Sequence, residues 1–400
     1  MRGAAGGANL LALRSHNTAL VLDLLRTAGD EGISRLELAE RTGLTPQAVS
    51  KITARLRGEG LAAEAGRRAS TGGKPRTVLR LVPGAGHALG VHLDRDELRA
   101  VLVDLDGTVV AERRAPLDLG AGAETVLEGV ARAAEELAAV GLGHLVAEDA
   151  RVPGAALAAA PTLLGLGVAL PGPLDHVRGV LHRITGFPGW DGYPLREALE
   201  RRLGVPVVVD KDTNAAALGL AVGGAGGEAV GGAGGEAAGA GARGGSFAYL
   251  HLGTGLGAGL VFGGGVHRGA RTGAGEFGHQ VVQLDGPPCT CGARGCIEAL
   301  CLAAVARGDL AEAARVLGTG AANLAGLLDI DLVLLGGRTV AAAPEPFVHG
   351  VGAVLDARAR REGGHDGPVP VRLAPAGARG VAEGAAQLLL APLFGRGEGG

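Results

Sequence analysis

The sequence predicts an α/β protein in two parts: a winged helix-turn-helix over residues 1–82 and a two-lobed α/β body over residues 83–400. Three observations carry this prediction. The first eighty residues hold stretches of helical periodicity joined by a glycine turn at helix-turn-helix spacing. Beyond Pro83-Gly84, strand-like runs alternate with helical ones, as two α/β lobes require. Charge divides at the same point. Residues 1–82 carry 13 Lys and Arg against 7 Asp and Glu, although the whole chain has a net charge of −3. A basic module joined to an acidic body assigns any polyanion to the first part alone.

Composition narrows the class further. Four hundred residues leave room for two or three domains at about 150 residues each. Hydrophobic residues make up 47% of the chain, which excludes a disordered protein. Glycine contributes 74 residues, and lysine occurs only at positions 51, 74 and 211, a bias that reads as nucleotide composition rather than function. No apolar run approaches the roughly 18 residues of a membrane span, and the first residues lack a signal-peptide pattern. Of four cysteines, three crowd between Cys289 and Cys296, which argues against a secreted disulfide scaffold. The expectation is a soluble cytoplasmic protein.

The elements of the first part follow in order. Leu20, Val21, Leu24 and Leu25 recur at helical spacing, and Gly29-Asp30 closes that helix. Ser34 caps a second helix with Leu36, Leu38 and Ala39 on its inner side. Gly43 makes the turn, Thr45 caps a third helix, and Pro46 fills its first position. Val49, Ile52 and Leu56 bury one face of that helix, while Gln47, Ser50, Lys51 and Arg55 point outward. A hairpin from 61 to 81 follows, with a basic, glycine-rich tip, GRRASTGGKPR, at 66–76. Gln47 and Ser50 suit base edges. Thr45, Lys51, Arg55, Lys74 and Arg76 suit phosphates or a minor groove. These seven are the candidate DNA-binding residues, and a three-helix protein-interaction module is the alternative.

In the body, strand-like runs fall at 87–93, 99–105, 165–170, 205–210, 247–252, 259–262 and 331–335. Helical runs fall at 123–139, 193–202, 213–220, 298–306 and 310–328. The heptad GGAGGEA at 223–229 recurs at 231–237, inside a Gly/Ala-rich stretch over 222–245 that reads as a flexible surface loop. Further on, His279, Cys289, Cys291 and Cys296 are spaced H-x9-C-x-C-x4-C. One imidazole and three thiolates are a usual tetrahedral set for structural Zn²⁺, with no position left for a catalytic water. The alternative is a group of reduced thiols. Cys301 reads as a buried apolar residue.

Residues 276–298, EFGHQVVQLDGPPCTCGARGCIE, resemble the signature of the ROK family of repressors and sugar kinases. So do VALPGPLD at 168–175, GFPGW at 186–190, DKDTNAAALG at 210–219, LGTGLGAG at 252–259 and DLVLLGG at 331–337. The N-terminal winged helix matches the repressor branch. The resemblance implies an actin-like ATPase fold, a sugar site between the lobes, and a homodimer or homotetramer. It sets Glu276, His279 and Glu298 against sugar hydroxyls and puts Asp212 where a kinase keeps its base. Lys211 stands where sugar kinases place an Asn, free to pair with Asp212 or with the phosphate of a sugar phosphate. Asp212 as a mere helix cap is a further alternative.

One departure bears on activity. A kinase of this family needs a D-x-G-G-T turn to bring backbone N–H groups to ATP phosphates. This chain has His92-Leu93-Asp94-Arg95-Asp96 there, with two carboxylates to repel a triphosphate. The expectation is a sugar-responsive, DNA-binding repressor without enzymatic activity, its partners being operator DNA and a sugar or sugar-phosphate effector. An ATP-dependent sugar kinase with an appended DNA-binding module is the rival.

Overall fold

The computed structural model describes residues 16–68, 76–142, 157, 160, 162–223, 245–363, 367–375 and 377–396. Lys74 and most of the Gly/Ala stretch, 224–244, lie outside the described residues.

The N-terminal part forms as its caps dictate. Helix α1 (His16–Thr27) leads to α2 (Arg35–Thr42), which starts from a reciprocal capping box. The Glu37 N–H donates to the Ser34 hydroxyl while Glu37 Oε2 accepts from the Ser34 N–H at 2.8 Å. Gly43 ends α2 in the left-handed region at φ 68°, which turns the chain into α3 (Pro46–Gly58). Strands β2 (Ala62–Arg68) and β3 (Arg76–Leu81) make the hairpin, and a short β1 (Ile33–Ser34) that no sequence pattern announced adds a third strand on β3. Leu38, Val49, Leu56 and Leu79 meet in the core. Leu36 does not join them. It is 42% exposed, because α2 turns only its Leu38–Ala39 edge inward.

The body repeats one topology twice. Strands β4 (His87–Leu93), β5 (Glu97–Asp104) and β6 (Val109–Pro116) form an antiparallel meander, and β7 (Leu163–Leu170) and β10 (Val207–Lys211) add parallel strands beside β4. The second lobe repeats the order with β11 (Phe247–Leu252), β12 (Leu256–Phe262), β13 (Gly265–Val266), β14 (Leu332–Gly336) and β15 (Val371–Leu373). A small hairpin, β8 (Leu174–Asp175) with β9 (Val180–Leu181), hangs from the first lobe.

Between the sheets lie two helices with almost no large side chains at their contacts. Helix Gly380–Leu390 packs on β4 and β7, and helix Asp212–Val222 packs on it and on β12. The approach is backbone to backbone. A Cβ at Gly167 would fall 1.8 Å from the Ala385 carbonyl oxygen, and one at Gly384 would fall 2.0 Å from that of Ala215. After Leu390 the chain turns through residues Ala391–Phe394 and meets α1, so the winged helix and first lobe share one core. No helix among the described residues is long and apolar enough to cross a membrane.

Candidate functional site

Two sites emerge, one on α3 and one between the lobes. The Thr45 hydroxyl accepts from the Ala48 N–H at 3.3 Å, and Pro46 gives the helix its pre-set first turn. With Val49, Thr53 and Leu56 buried, Gln47, Ser50, Lys51 and Arg55 share the opposite, exposed face. Arg55 is also held from within. Its Nη2 donates to the Thr18 hydroxyl at 2.7 Å, which ties α3 to α1. Thr45 is exposed at the start of this face and Arg76 is exposed at the base of the hairpin.

The cleft opens where the loop after β4, the start of helix Asp212–Val222 and the turn into β12 converge. It is an open cavity lined among others by Lys211, Asp212, Glu276, His279 and Glu298. All five candidate ligand residues therefore meet. Each carboxylate has one oxygen engaged. Glu298 Oε2 accepts from the Leu256 N–H at 2.8 Å, Asp212 Oδ1 from the Thr213 N–H at 2.6 Å, and Glu276 Oε1 from Lys211 Nζ at 3.1 Å. Among the described residues the second oxygen of each has no hydrogen bond and can accept from a ligand's hydroxyl donors.

Lys211 does not pair with Asp212. Its ammonium pairs with Glu276 and donates to the Ala274 carbonyl, and the side chain is 3% exposed. It fills the space beside Gly172, where a Cβ would sit 2.7 Å from Lys211 Cδ. Asp212 is the first residue of its helix rather than the N-cap, which is Lys211; its Oδ1 accepts from the next N–H, and it lines the cavity.

The turn replacing the glycine motif is bonded across the cleft. Asp94 Oδ1 accepts from the Thr254 hydroxyl at 2.9 Å, and the Asp96 carboxylate accepts from Arg338 Nη1 at 3.0 Å. Burial pushes the Asp94 carboxyl up, but the Arg95 N–H, His92 and Thr254 together hold it below the usual carboxylate range. His92 is buried with no hydrogen-bond partner for Nε2, and burial lowers its pKa despite the neighbouring Asp212 carboxylate.

Other residues here escaped the sequence analysis. Arg268 Nε donates to Asp210 Oδ2 at 2.7 Å, joining the lobes again, and Asp210 Oδ1 accepts from Asn214 Nδ2 at 2.9 Å. His251 and Arg95 also line the cavity. Asp210 and Asn214 lie inside the DKDTN motif, which was signal enough. Arg268 has no pattern around it.

Behind the cleft, His279 Nδ1 and the sulfurs of Cys289, Cys291 and Cys296 all lie within 4.8 Å of one another. Cys289 Sγ is 3.7 Å from His279 Nδ1, and Cys291 Sγ is 3.7 Å from Cys296 Sγ. A tetrahedral Zn²⁺ with its usual bond lengths needs edges of about 3.6–3.8 Å; those two edges match, and the whole set is close enough for its thiols and imidazole to hold a metal ion. Gly295 has to be glycine for this turn: a Cβ there would fall 1.6 Å from the Gln283 carbonyl oxygen, at φ 66°.

The ROK family profile matches residues 88–307, and a winged helix-turn-helix DNA-binding profile matches residues 20–61. The chain belongs to the ROK family. Its fold is a winged helix-turn-helix followed by the actin-like ATPase fold of that family. The xylose repressor of Bacillus subtilis (strain 168) is 27% identical over 66% of this chain and 61% of its own length. The chain thus aligns with less than two thirds of that relative. A ROK hexokinase from Thermus thermophilus is 30% identical, with a TM-score of 0.54 over 75% of this chain and 96% of its own. A ROK transcriptional regulator structure, homologous to the Escherichia coli MLC protein, superposes over 95% of this chain and 97% of its own at TM-score 0.69. At 20% identity, that likeness speaks for the fold alone.

Proposed function

We propose that this ROK protein is a sugar-responsive transcriptional repressor of the cytoplasm. A DNA-binding module over 1–82 holds operator DNA, and a body over 83–400 takes a sugar or sugar derivative between its lobes. The observation that carries this function is the union, in one chain, of an exposed polar α3 face with a cleft where Asp212, Glu276 and Glu298 converge. Gln47 and Ser50 read base edges in the major groove, while Lys51, Arg55 and Arg76, with Lys74 from the hairpin tip, meet phosphates. Two copies related by a twofold axis set two α3 helices on one operator.

Zinc at His279, Cys289, Cys291 and Cys296 is structural. It holds the loop from Glu276 to Glu298, so that both carboxylates face the ligand. Kinase activity is lost. Asp94 and Asp96 put negative charge and side-chain bulk where triphosphate would need backbone N–H donors. Asp212 then serves as a hydroxyl acceptor rather than a base.

The test is a gel shift with DNA from upstream of the protein's own gene, run with and without a panel of sugars and sugar phosphates. A band that one sugar dissolves or tightens is expected. No band at low salt would remove the DNA-binding assignment, and steady ATP-dependent phosphorylation of a sugar would remove the repressor-only one.

A further inference from the structure

Arg95 lines the cleft, and its guanidinium takes no part in the contacts that hold the three carboxylates. It stands at the tip of the β4–β5 turn, between two acids that are both engaged across the cleft: Asp94 with Thr254, Asp96 with Arg338. Its own backbone is fixed as well. The Arg95 N–H donates to Asp94 Oδ1 at 2.8 Å, and its carbonyl accepts from the Leu119 N–H at 3.0 Å. The guanidinium lies 5.5 Å over the Phe187 ring, in the GFPGW segment. Among the described residues no carboxylate pairs with it. The other cation of the cavity, Lys211, is closed off by Glu276 and the Ala274 carbonyl.

A guanidinium braced against an aromatic face keeps its outer N–H donors and loses little rotamer entropy when it binds. Such a fork matches an oxyanion, bidentately and with charge assistance. Arg95 shares the cavity with the three sugar-facing carboxylates and with the glycine turn at 253–257. It is thus the one cation there still open to a ligand among the described residues. The negative neighbours are Asp94, whose Oδ1 accepts from the Arg95 N–H and the Thr254 hydroxyl, Asp96, which is paired with Arg338, and Asp212, whose Oδ1 is engaged by Thr213.

We infer that the effector is an anionic sugar, carrying a phosphate or a carboxylate that Arg95 holds. This deepens the sugar-cleft assignment and rests on it. Arg95 becomes the residue that separates the anionic effector from its neutral parent sugar.

The experiment is calorimetric titration of the full chain with xylose, glucose and N-acetylglucosamine, their terminal phosphates, and glucuronate. Wild-type protein should bind one anionic sugar about 10- to 100-fold more tightly than its parent, the worth of a charge-assisted hydrogen-bonded pair. Arg95→Leu should erase that advantage and leave the parent sugar within about twofold. Arg95→Lys, which keeps charge and stem but loses the fork, should retain part of it and guards against a folding defect in the first variant. A phosphate advantage without a glucuronate one names the phosphate as the anion; the reverse names the carboxylate. Equal binding of neutral and anionic sugars, or an advantage that survives Arg95→Leu, overturns the role of Arg95 while leaving the sugar cleft standing. If no sugar of either kind binds, both fall.

Discussion

The guanidinium of Arg26 lies over the ring of Phe394, 4.4 Å from its centroid, so α1 rests on the turn Ala391–Phe394. Arg396 strengthens the contact by donating to Asp23 Oδ2 at 2.7 Å. Phe394 continues from helix Gly380–Leu390, which packs on helix Asp212–Val222, whose first residue lines the cleft. Contiguous packing therefore runs from the cleft to the winged helix. Phe394→Ala should destabilise the protein by about 3–5 kcal/mol in urea unfolding. It should also blunt the sugar's effect on DNA binding with sugar affinity unchanged; an undiminished effect would show that the signal travels elsewhere.

The helix layer between the lobes has no room for a methyl group. Gly167→Ala pushes a Cβ into the Ala385 carbonyl, and the sheet and helix have to separate. The expected loss is about 1–3 kcal/mol or more, read from the urea midpoint. Gly189→Ala, where nothing lies within 4 Å of an added Cβ, is the control and should leave the midpoint in place.

Acid should weaken the fold through buried histidines. Burial holds His92 below its ordinary 6.5, even with Asp212, Asp94 and Glu97 favouring the charged form and His251 opposing it. His87 and His176 are lowered for the same first reason. Above pH 6.5 these rings are neutral folded or unfolded, and stability is full. Below it the unfolded chain takes up protons first, so each such histidine removes up to about 1.4 kcal/mol per pH unit until its folded pKa is reached. Unfolding measured from pH 7.5 to 5 should show this fall, and His92→Asn should make it shallower. An unaltered slope in the variant would mean that His92 takes up its proton in the folded state.

For the α3 face, Lys51→Ala should weaken operator binding at every sequence alike. It should reduce the slope of log K against log salt by about one. Its melting temperature should stay that of wild type. Arg55→Ala differs, because it also loses the bond to Thr18. It should cost about 1 kcal/mol of stability beside its effect on DNA. Neither should change sugar affinity, and a change from Arg55→Ala would mean the two modules are not separate in function.

Metal content is a direct measurement. One zinc per chain is expected, and Cys296→Ser should lose it. Chelation should abolish the response to sugar before the winged helix unfolds, because the ligand loop carries Glu276 and Glu298 and packs in the second lobe's core, whereas α3 packs in the core of the winged helix. Apoprotein with unchanged sugar affinity would separate the metal from the site.

Much of this protein was legible in local chemistry. Ser34, Gly43, Thr45 and Pro46 announced the helix ends of the winged helix, since caps act within one turn of chain. Strands 87–93 and 247–252 and helix 310–328 stood where apolar spacing put them. Helix Gly380–Leu390 did not show, because it is covered on both sides and so has no polar face to create a period. Helix Pro344–Glu362 was hidden by its prolines and by glycines at 350 and 352.

In the site, motifs marked Asp212, Glu276, His279, Glu298 and the three cysteines, whose residue types alone state their chemistry. Residue type and local spacing thus set which groups are available and where the chain turns. It took the folding of the two lobes onto each other to pair Lys211 with Glu276 across 65 positions, to bring Asp94 to Thr254 across 160, and to leave the Arg95 guanidinium open. Those pairings depend on how closely two lobes approach, which the glycines and alanines of the interlobe helices set. Spacing along a chain carries no information about such a distance.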